Sequence, residues 1–314
     1  LIIASWEQVV LSLIRRRRVG MVAAGCHAFA MCCLYGVLWR LYRLNWRFAL
    51  TCSVVFAWPT VCVVASIAAV CLFPLQPWSW ILVAALGLSF VGYWWIYLRN
   101  AYRRYLLWSW SFGRDLSRPT RRFRKTERAY DDYIDDIVRQ VRQETADSRE
   151  TVLIGHSVGA LQAVRAASLL STDASSDSHA DPGVTLLTLG GSWPIVTQYV
   201  GLYAARLRDD VRLILANRAM TWIDVCAWED VLSCPDTKNK MPLIAGMPVP
   251  RQASFEYVDP ELPTRWPPDF YRRNVRNFSE IHFDYLLPPR VKNGFDLFRL
   301  FVGESVCASE HAAE

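Results

Sequence analysis

Two long apolar stretches dominate the first third of the chain. Thr51–Phe73 runs for 23 residues without a charge, and Ser79–Leu98 for 20 more. As helices rising about 1.5 Å per residue, both are long enough to cross about 30 Å of hydrocarbon. Between them Pro74 and Pro77 bracket the uncharged Leu75-Gln76, so the pattern predicts a helical hairpin with a tight turn. A third uncharged stretch, Met21–Trp39, holds Gly25, His27 and Gly36, with Arg15–Arg18 before it and Arg40, Arg43 and Arg47 after it. Arginines at both ends conflict with a single crossing, because basic residues collect on the cytoplasmic side. This stretch fits a third span, a re-entrant segment or an interfacial one.

After residue 128 the period changes. Tyr130, Tyr133, Ile134, Ile137, Val138 and Val141 recur on one face of an amphipathic helix. Asp131, Asp132, Asp135 and Asp136 stand towards its start, and Arg139 and Arg142 towards its end, as the helix dipole favours. Asp135 and Arg139 are spaced to pair. Next comes a β-branched run, Thr151–Ile154, followed by Gly155 to Gly159 and a helical pattern through Leu161, Val164 and Ala167. The Ser/Asp-rich stretch Ser171–Asp181 reads as a loop, and Val184–Leu189 as a buried strand ended by Gly190 and Gly191. Leu207, Val211 and Ile214 mark a helix within Tyr203–Ala216, and Met220–Val225 reads as a further strand. Helices alternating with strands predict an α/β domain with a mostly parallel sheet and crossover helices. The divisions expected are a membrane region at 1–98, a linker at 99–128, the α/β domain at 129–303 and a flexible tail at 304–314.

Charge sharpens this division. Residues 98–128 hold ten Lys or Arg against Asp115 and Glu127, a local net charge of +8 beside +6 for the whole chain. Trp108 and Trp110 are interleaved, which suits a juxtamembrane collar gaining about 1 kcal/mol per basic residue at an anionic lipid surface. Membrane lipids are thus an expected partner. Nucleic acid is not, since no nucleic-acid-binding motif accompanies the charge. With the arginines beyond both hairpin ends on the cytoplasmic side, the chain reads as a multi-pass membrane protein whose α/β domain is cytoplasmic. Six of the nine cysteines lie in the apolar N-terminal part, and Cys226, Cys234 and Cys307 form no C-x-x-C pair. Neither a disulfide framework nor a zinc site is expected, and the chemistry below calls for no metal or cofactor.

Gly155-His-Ser-Val-Gly159 stands where strand gives way to helix. A nucleophilic serine there needs a strained turn, and flanking glycines leave room for it, so Ser157 is the candidate nucleophile. A serine nucleophile needs a base and a carboxylate to orient that base. Of the five histidines, His27 is in the apolar part, His156 shares the turn of the serine, His179 is in the Ser/Asp loop and His311 is in the tail. His282, in Glu280-Ile-His-Phe-Asp-Tyr-Leu286, remains as the base. Asp230, in the loop beyond Met220–Val225, is placed to reach an imidazole. Asp224, within that strand, is the alternative acid and also suits a buried polar anchor, and Asp236 ranks third.

These segments resemble the α/β-hydrolase superfamily of serine esterases and lipases over about residues 129–303. Trp222 to Asp230 and Ile281 to Leu286 are similar to a group of membrane-linked bacterial hydrolase-like proteins. The resemblance implies that Ser157 attacks an acyl carbonyl, that His282 acts as base and then acid, and that Asp230 holds the imidazole tautomer. It also implies that the backbone N–H of Val158 stabilises the oxyanion. A second oxyanion donor has no Gly-rich loop to supply it, and only three strands are evident: either the missing strand and loop precede the chain, or the domain has lost activity. Losing one such donor costs about 100- to 1,000-fold in rate. Two functions compete: a membrane-anchored serine hydrolase acting on a carboxylic ester or other acyl substrate, and an inactive hydrolase-like module for binding or assembly. A separation of Ser157 and His282 well beyond about 5 Å would count against the enzyme.

Overall fold

The structure is a computed structural model describing residues 2–4, 33, 35–74, 76–99, 121–145, 150–173, 183–199, 201–269, 278–287 and 296–297. The chain forms two compact units. One comprises Val9–Tyr42 and Trp46–Asp115; the other comprises Leu1–Gln8, Arg43–Asn45 and Leu116–Glu314.

The first unit is built on long apolar helices. After α1 (Val37–Leu44), helices α2 (Trp46–Leu72) and α3 (Pro77–Arg99) pack against each other as a hairpin. Pro77 opens α3, where its missing N–H costs nothing. Phe56 packs edge-on against Trp94, and Phe73 tilts against Trp78 at the turn. Ser53 and Ser66 each return their hydroxyl to the carbonyl four residues back, at 2.6 and 2.7 Å, so neither needs an outside partner. One described helix, over Pro77–Trp95, is long and apolar enough to cross a membrane; the apolar part of α2, Phe56–Leu72, is shorter. Ile81, Leu88, Val91 and Trp95 are exposed rather than packed in a core. Of Met21–Trp39, residues 21–32 and 34 lie outside the described residues, as do most of the linker and the whole tail.

The second unit is an α/β sheet. Strands β1 (Ile2–Ala4), β2 (Glu150–His156), β3 (Gly183–Leu189), β4 (Met220–Val225) and β5 (Ser254–Val258) lie side by side in that order, every pair parallel. Three strands stand where the apolar pattern predicts them. The other two escape it for physical reasons: β1 is only three residues long, and β5 is half-exposed with Glu256 in its middle. A strand beyond the three predicted ones flanks β2. Ile3 pairs with Ile154 and Ala4 with Gly155, giving β2 a neighbour on the side away from β3. Ile2–Ala4 therefore belong with the sheet, whereas the sequence pattern placed them in the apolar region.

Helix α4 (Arg121–Thr145) starts within the expected linker, whose Arg and Lys residues are good helix formers. It buries Ile134, Ile137, Val138 and Val141 but leaves Tyr133 exposed. Arg139 pairs with Asp136, at 2.7 Å, three residues back instead of four. Helix α5 (Gly159–Asp173) follows β2, α6 (Trp193–Val196) and α7 (Leu202–Ala216) follow β3, and α8 (Thr237–Ile244) follows β4. Ile154, Leu187, Leu189, Ile223 and Val225 form a core with Leu262 and Trp266 around α9 (Leu262–Arg265) and with Ile281 and Tyr285.

Gly155 faces α5 so closely that a Cβ there would lie 2.6 Å from Ala160 Cα and 2.7 Å from Ala163 Cβ. Gly155→Ala should cost about 1–3 kcal/mol by overpacking. Gly183→Ala, where a Cβ meets nothing within 4 Å, is the control, expected to stay within about 0.5 kcal/mol. Denaturant unfolding of both in detergent checks this; equal midpoints would refute the close-approach account.

Candidate active site

Parallel register brings the end of β2 level with the end of β3, His156 opposite Leu189, and the next residue is Ser157. Its backbone is left-handed, φ 57°. For a serine that costs of order 1 kcal/mol, so the turn must be held from outside. Ser157 N–H donates to the Leu189 carbonyl at 3.0 Å, and its own carbonyl accepts from Ala160 N–H and Ser192 N–H, both at 3.2 Å. The Ser192 hydroxyl adds a longer bond to the same oxygen, at 3.3 Å. The loop after β3 thus clamps the turn after β2.

Helix α10 (Phe278–Phe283) carries His282 to this turn. Ser157 Oγ lies 2.7 Å from His282 Nε2, and His282 Nδ1 lies 2.8 Å from Asp230 Oδ2. With Nδ1–H donating to the carboxylate, Nε2 is free to accept the serine proton. All three side chains are buried. Asp230 is itself positioned by two further donors: Tyr285 OH reaches Oδ2 at 3.1 Å, and Leu232 N–H reaches Oδ1 at 2.9 Å. Gly190, φ 52°, makes the close approach of these groups feasible. A Cβ on it would lie 2.7 Å from the Tyr285 ring and 3.1 Å from Asp230 Oδ2.

The two candidate acids part company here. Asp224 is paired in register with Thr188 and is fully buried. It accepts from the Thr188 hydroxyl, from Trp193 Nε1 at 3.1 Å, from the Thr237 hydroxyl at 2.6 Å and, more weakly, from Cys226 Sγ. Burial raises its pKa, and these bonds oppose the rise. Both oxygens serve these groups, so Asp224 is a buried anchor, and the carboxylate brought to His282 is that of Asp230. Asp236 stands before α8 with its carboxylate bonded to Asn239, also away from the imidazole. Val158 N–H meets no acceptor among the described residues.

Comparison of the chain with protein-family models, curated proteins and solved structures finds no match.

Two residues of the site were not legible in the sequence. Tyr285 lies in the His282 segment, but only folding aims its hydroxyl at Asp230. His156, set aside as a neighbour of the serine, donates Nε2–H to the His282 carbonyl at 2.8 Å, and its ring lies 4.9 Å from that of His282, tilted by 42°. Behind them the buried Arg265 pairs with Asp284 at 3.2 Å and donates to the Leu287 carbonyl at 2.8 Å, while Trp266 Nε1 reaches Asp284 at 2.6 Å. These bonds fasten the turn that follows His282 onto α9.

Burial, reinforced by the nearby His282, lowers the pKa of His156 from 6.5 to about 3. Between those values the unfolded chain binds a proton at His156 that the folded chain refuses. Stability should therefore fall as pH drops from about 6.5 towards about 3. His156→Gln, which keeps an amide donor for the His282 carbonyl, should flatten this slope in urea unfolding measured from about pH 4 to 7. An unchanged slope would mean that another group sets it.

Proposed function

We propose that this chain is a membrane-anchored serine hydrolase, cleaving a carboxylic ester or another acyl substrate through an acyl-enzyme on Ser157. The observation that carries the reading is the unbroken line from Ser157 Oγ through His282 to Asp230, at 2.7 and 2.8 Å, assembled from residues 125 and 52 positions apart. An α/β-hydrolase relationship, including the membrane-linked hydrolase-like group, is the family context proposed with it.

In this mechanism His282 Nε2 takes the Ser157 proton as Oγ bonds to the acyl carbon. The carbonyl oxygen becomes an oxyanion facing Val158 N–H. Asp230 keeps Nδ1 protonated and stabilises the imidazolium. The carbonyl then re-forms, the bond to the alcohol or thiol leaving group breaks, and His282 returns its proton to that group. Water, deprotonated by His282, attacks the acyl-enzyme in turn; the acid leaves and Ser157 regains its proton. Esters and thioesters share this first half-reaction.

The anchor is the second part of the proposal. Its support is the exposed apolar length of α3, the paired α2, and serine hydroxyls satisfied within their own helix. Both helices of the hairpin would cross the bilayer, with the basic linker against anionic headgroups and the α/β domain on the cytoplasmic side. Acyl esters of membrane lipids are one substrate class this reading includes.

Labelling of the full chain in membranes with a fluorophosphonate tests the chemistry. Label should appear in the wild type, vanish in Ser157→Ala, and fall by about 10³- to 10⁴-fold in rate in His282→Ala and Asp230→Asn. A folded wild type that takes no label would favour a binding or assembly module. Alkaline carbonate extraction tests the anchor separately. Retention in the pellet is expected, and release into the supernatant would overturn the anchor while leaving the triad standing.

A further inference from the structure

The turn that carries Asp230 is held at its start by two tyrosines. Ala227 N–H donates to Tyr285 OH at 2.9 Å, and Tyr257 OH donates to the Cys226 carbonyl at 2.7 Å. Within the turn Asp230 N–H reaches the Ala227 carbonyl and Ser233 N–H the Asp230 carbonyl, both at 3.3 Å. Its far end is held by a residue from a distant part of the chain. Asn45, between α1 and α2, donates Nδ2 to the carbonyls of Ser233 and, at 3.4 Å, Val231. Asn45 is only 6% exposed, and Arg43–Asn45 belong to the same compact unit as the triad. Beside it Cys234 Sγ makes a long contact of 3.8 Å with the Leu44 carbonyl.

We infer that Asn45 is a positioning residue for Asp230, acting through the single peptide group that joins Val231 to Leu232. The oxygen of that peptide accepts from Asn45, and its N–H donates to Asp230 Oδ1 at 2.9 Å. A peptide unit is planar, so fixing its oxygen fixes where its N–H points. Accepting a hydrogen bond at the oxygen also strengthens the bond donated at the nitrogen. The chain of contacts then runs from Asn45 through this peptide to Asp230, His282 and Ser157. An amide suits the task because its two N–H groups can serve the two carbonyls at once, whereas a hydroxyl has one proton. This assignment rests on the hydrolase reading only in giving Asp230 a catalytic task.

The experiment compares Asn45→Ala and Asn45→Asp with the wild type in the full chain. Asn45→Asp keeps the shape and removes the donors. Fluorophosphonate labelling should slow by about 10- to 100-fold in both, as expected when a reacting group loses its alignment. Its pH midpoint should move lower, because a loosened Asp230 stabilises the imidazolium less. Among the described residues His156 and Ser157 also face His282, with Tyr285 behind Asp230, and the substitutions leave all of these in place. In an Asp230→Asn background Asn45→Ala should add almost nothing. Asp210→Asn, in the separate Arg165–Asp210–Ser168 cluster, is the control for destabilisation alone and should lower the labelled fraction without moving the midpoint. The low-field Nδ1–H resonance of His282 in ¹⁵N-histidine protein is a readout independent of activity, and it should weaken in both Asn45 variants. An unmoved midpoint, an unchanged resonance and a loss additive with Asp230→Asn would overturn the assignment. An unlabelled wild type would sink the hydrolase reading alone, with the proton resonance still deciding the role of Asn45.

Discussion

A serine held in the left-handed region between a buried strand and a helix lies uphill in backbone energy, and the surrounding structure is arranged to keep it there. The Ser157 amide and carbonyl are tied to Leu189 and Ser192 of the next strand's loop, and the helix that begins at Gly159 takes up the remaining carbonyl capacity. Gly155 lets α5 approach β2 within contact distance. The parallel register of β2 and β3 places the clamp, since a shift of one residue would turn Leu189 and its neighbours to the opposite face. The position of Ser157 Oγ is thus a consequence of the sheet.

Two aspartates six residues apart show how environment divides like side chains. Asp224 points into the sheet–helix interface, where four donors surround it and bind Trp193 at the start of α6. Asp230 lies beyond the strand end, where the chain is free to turn, and faces an imidazole and a phenol. A buried carboxylate is tolerable only when donors meet it, and both satisfy that condition. They differ in that one set of donors is inert and the other includes a group able to exchange a proton with Ser157. His156 completes the arrangement from the opposite side. Held neutral by burial, it fixes the His282 backbone without adding a second positive charge beside the imidazole.

In the apolar unit the constraint is different. Helices α2 and α3 expose much of their apolar surface and pair mainly with each other, with serine hydroxyls folded back onto their own helices. That surface needs an apolar surrounding, which is the physical ground for proposing a bilayer around it. The absence of any Asp or Glu between Glu7 and Asp115 fits an anionic headgroup surface next to the same region.

Local pattern was enough for much of this molecule. Apolar length fixes the helical hairpin, β-branched runs fix β2, β3 and β4, and Gly155-His-Ser-Val-Gly159 marks the turn, because each depends on neighbours within a few residues. The ranking of Asp230 over Asp224 followed from the same logic, strand interior against loop. Other features needed the tertiary structure. Ile2–Ala4 is too short to declare itself as a strand and gains its identity by pairing with β2. Tyr285, His156 and Asn45 are ordinary residues until folding aims a donor at a particular oxygen. Hydrogen bonds are short and directional, so a sequence carries the capacity for them while their partners, here up to 188 residues apart, are decided only by packing.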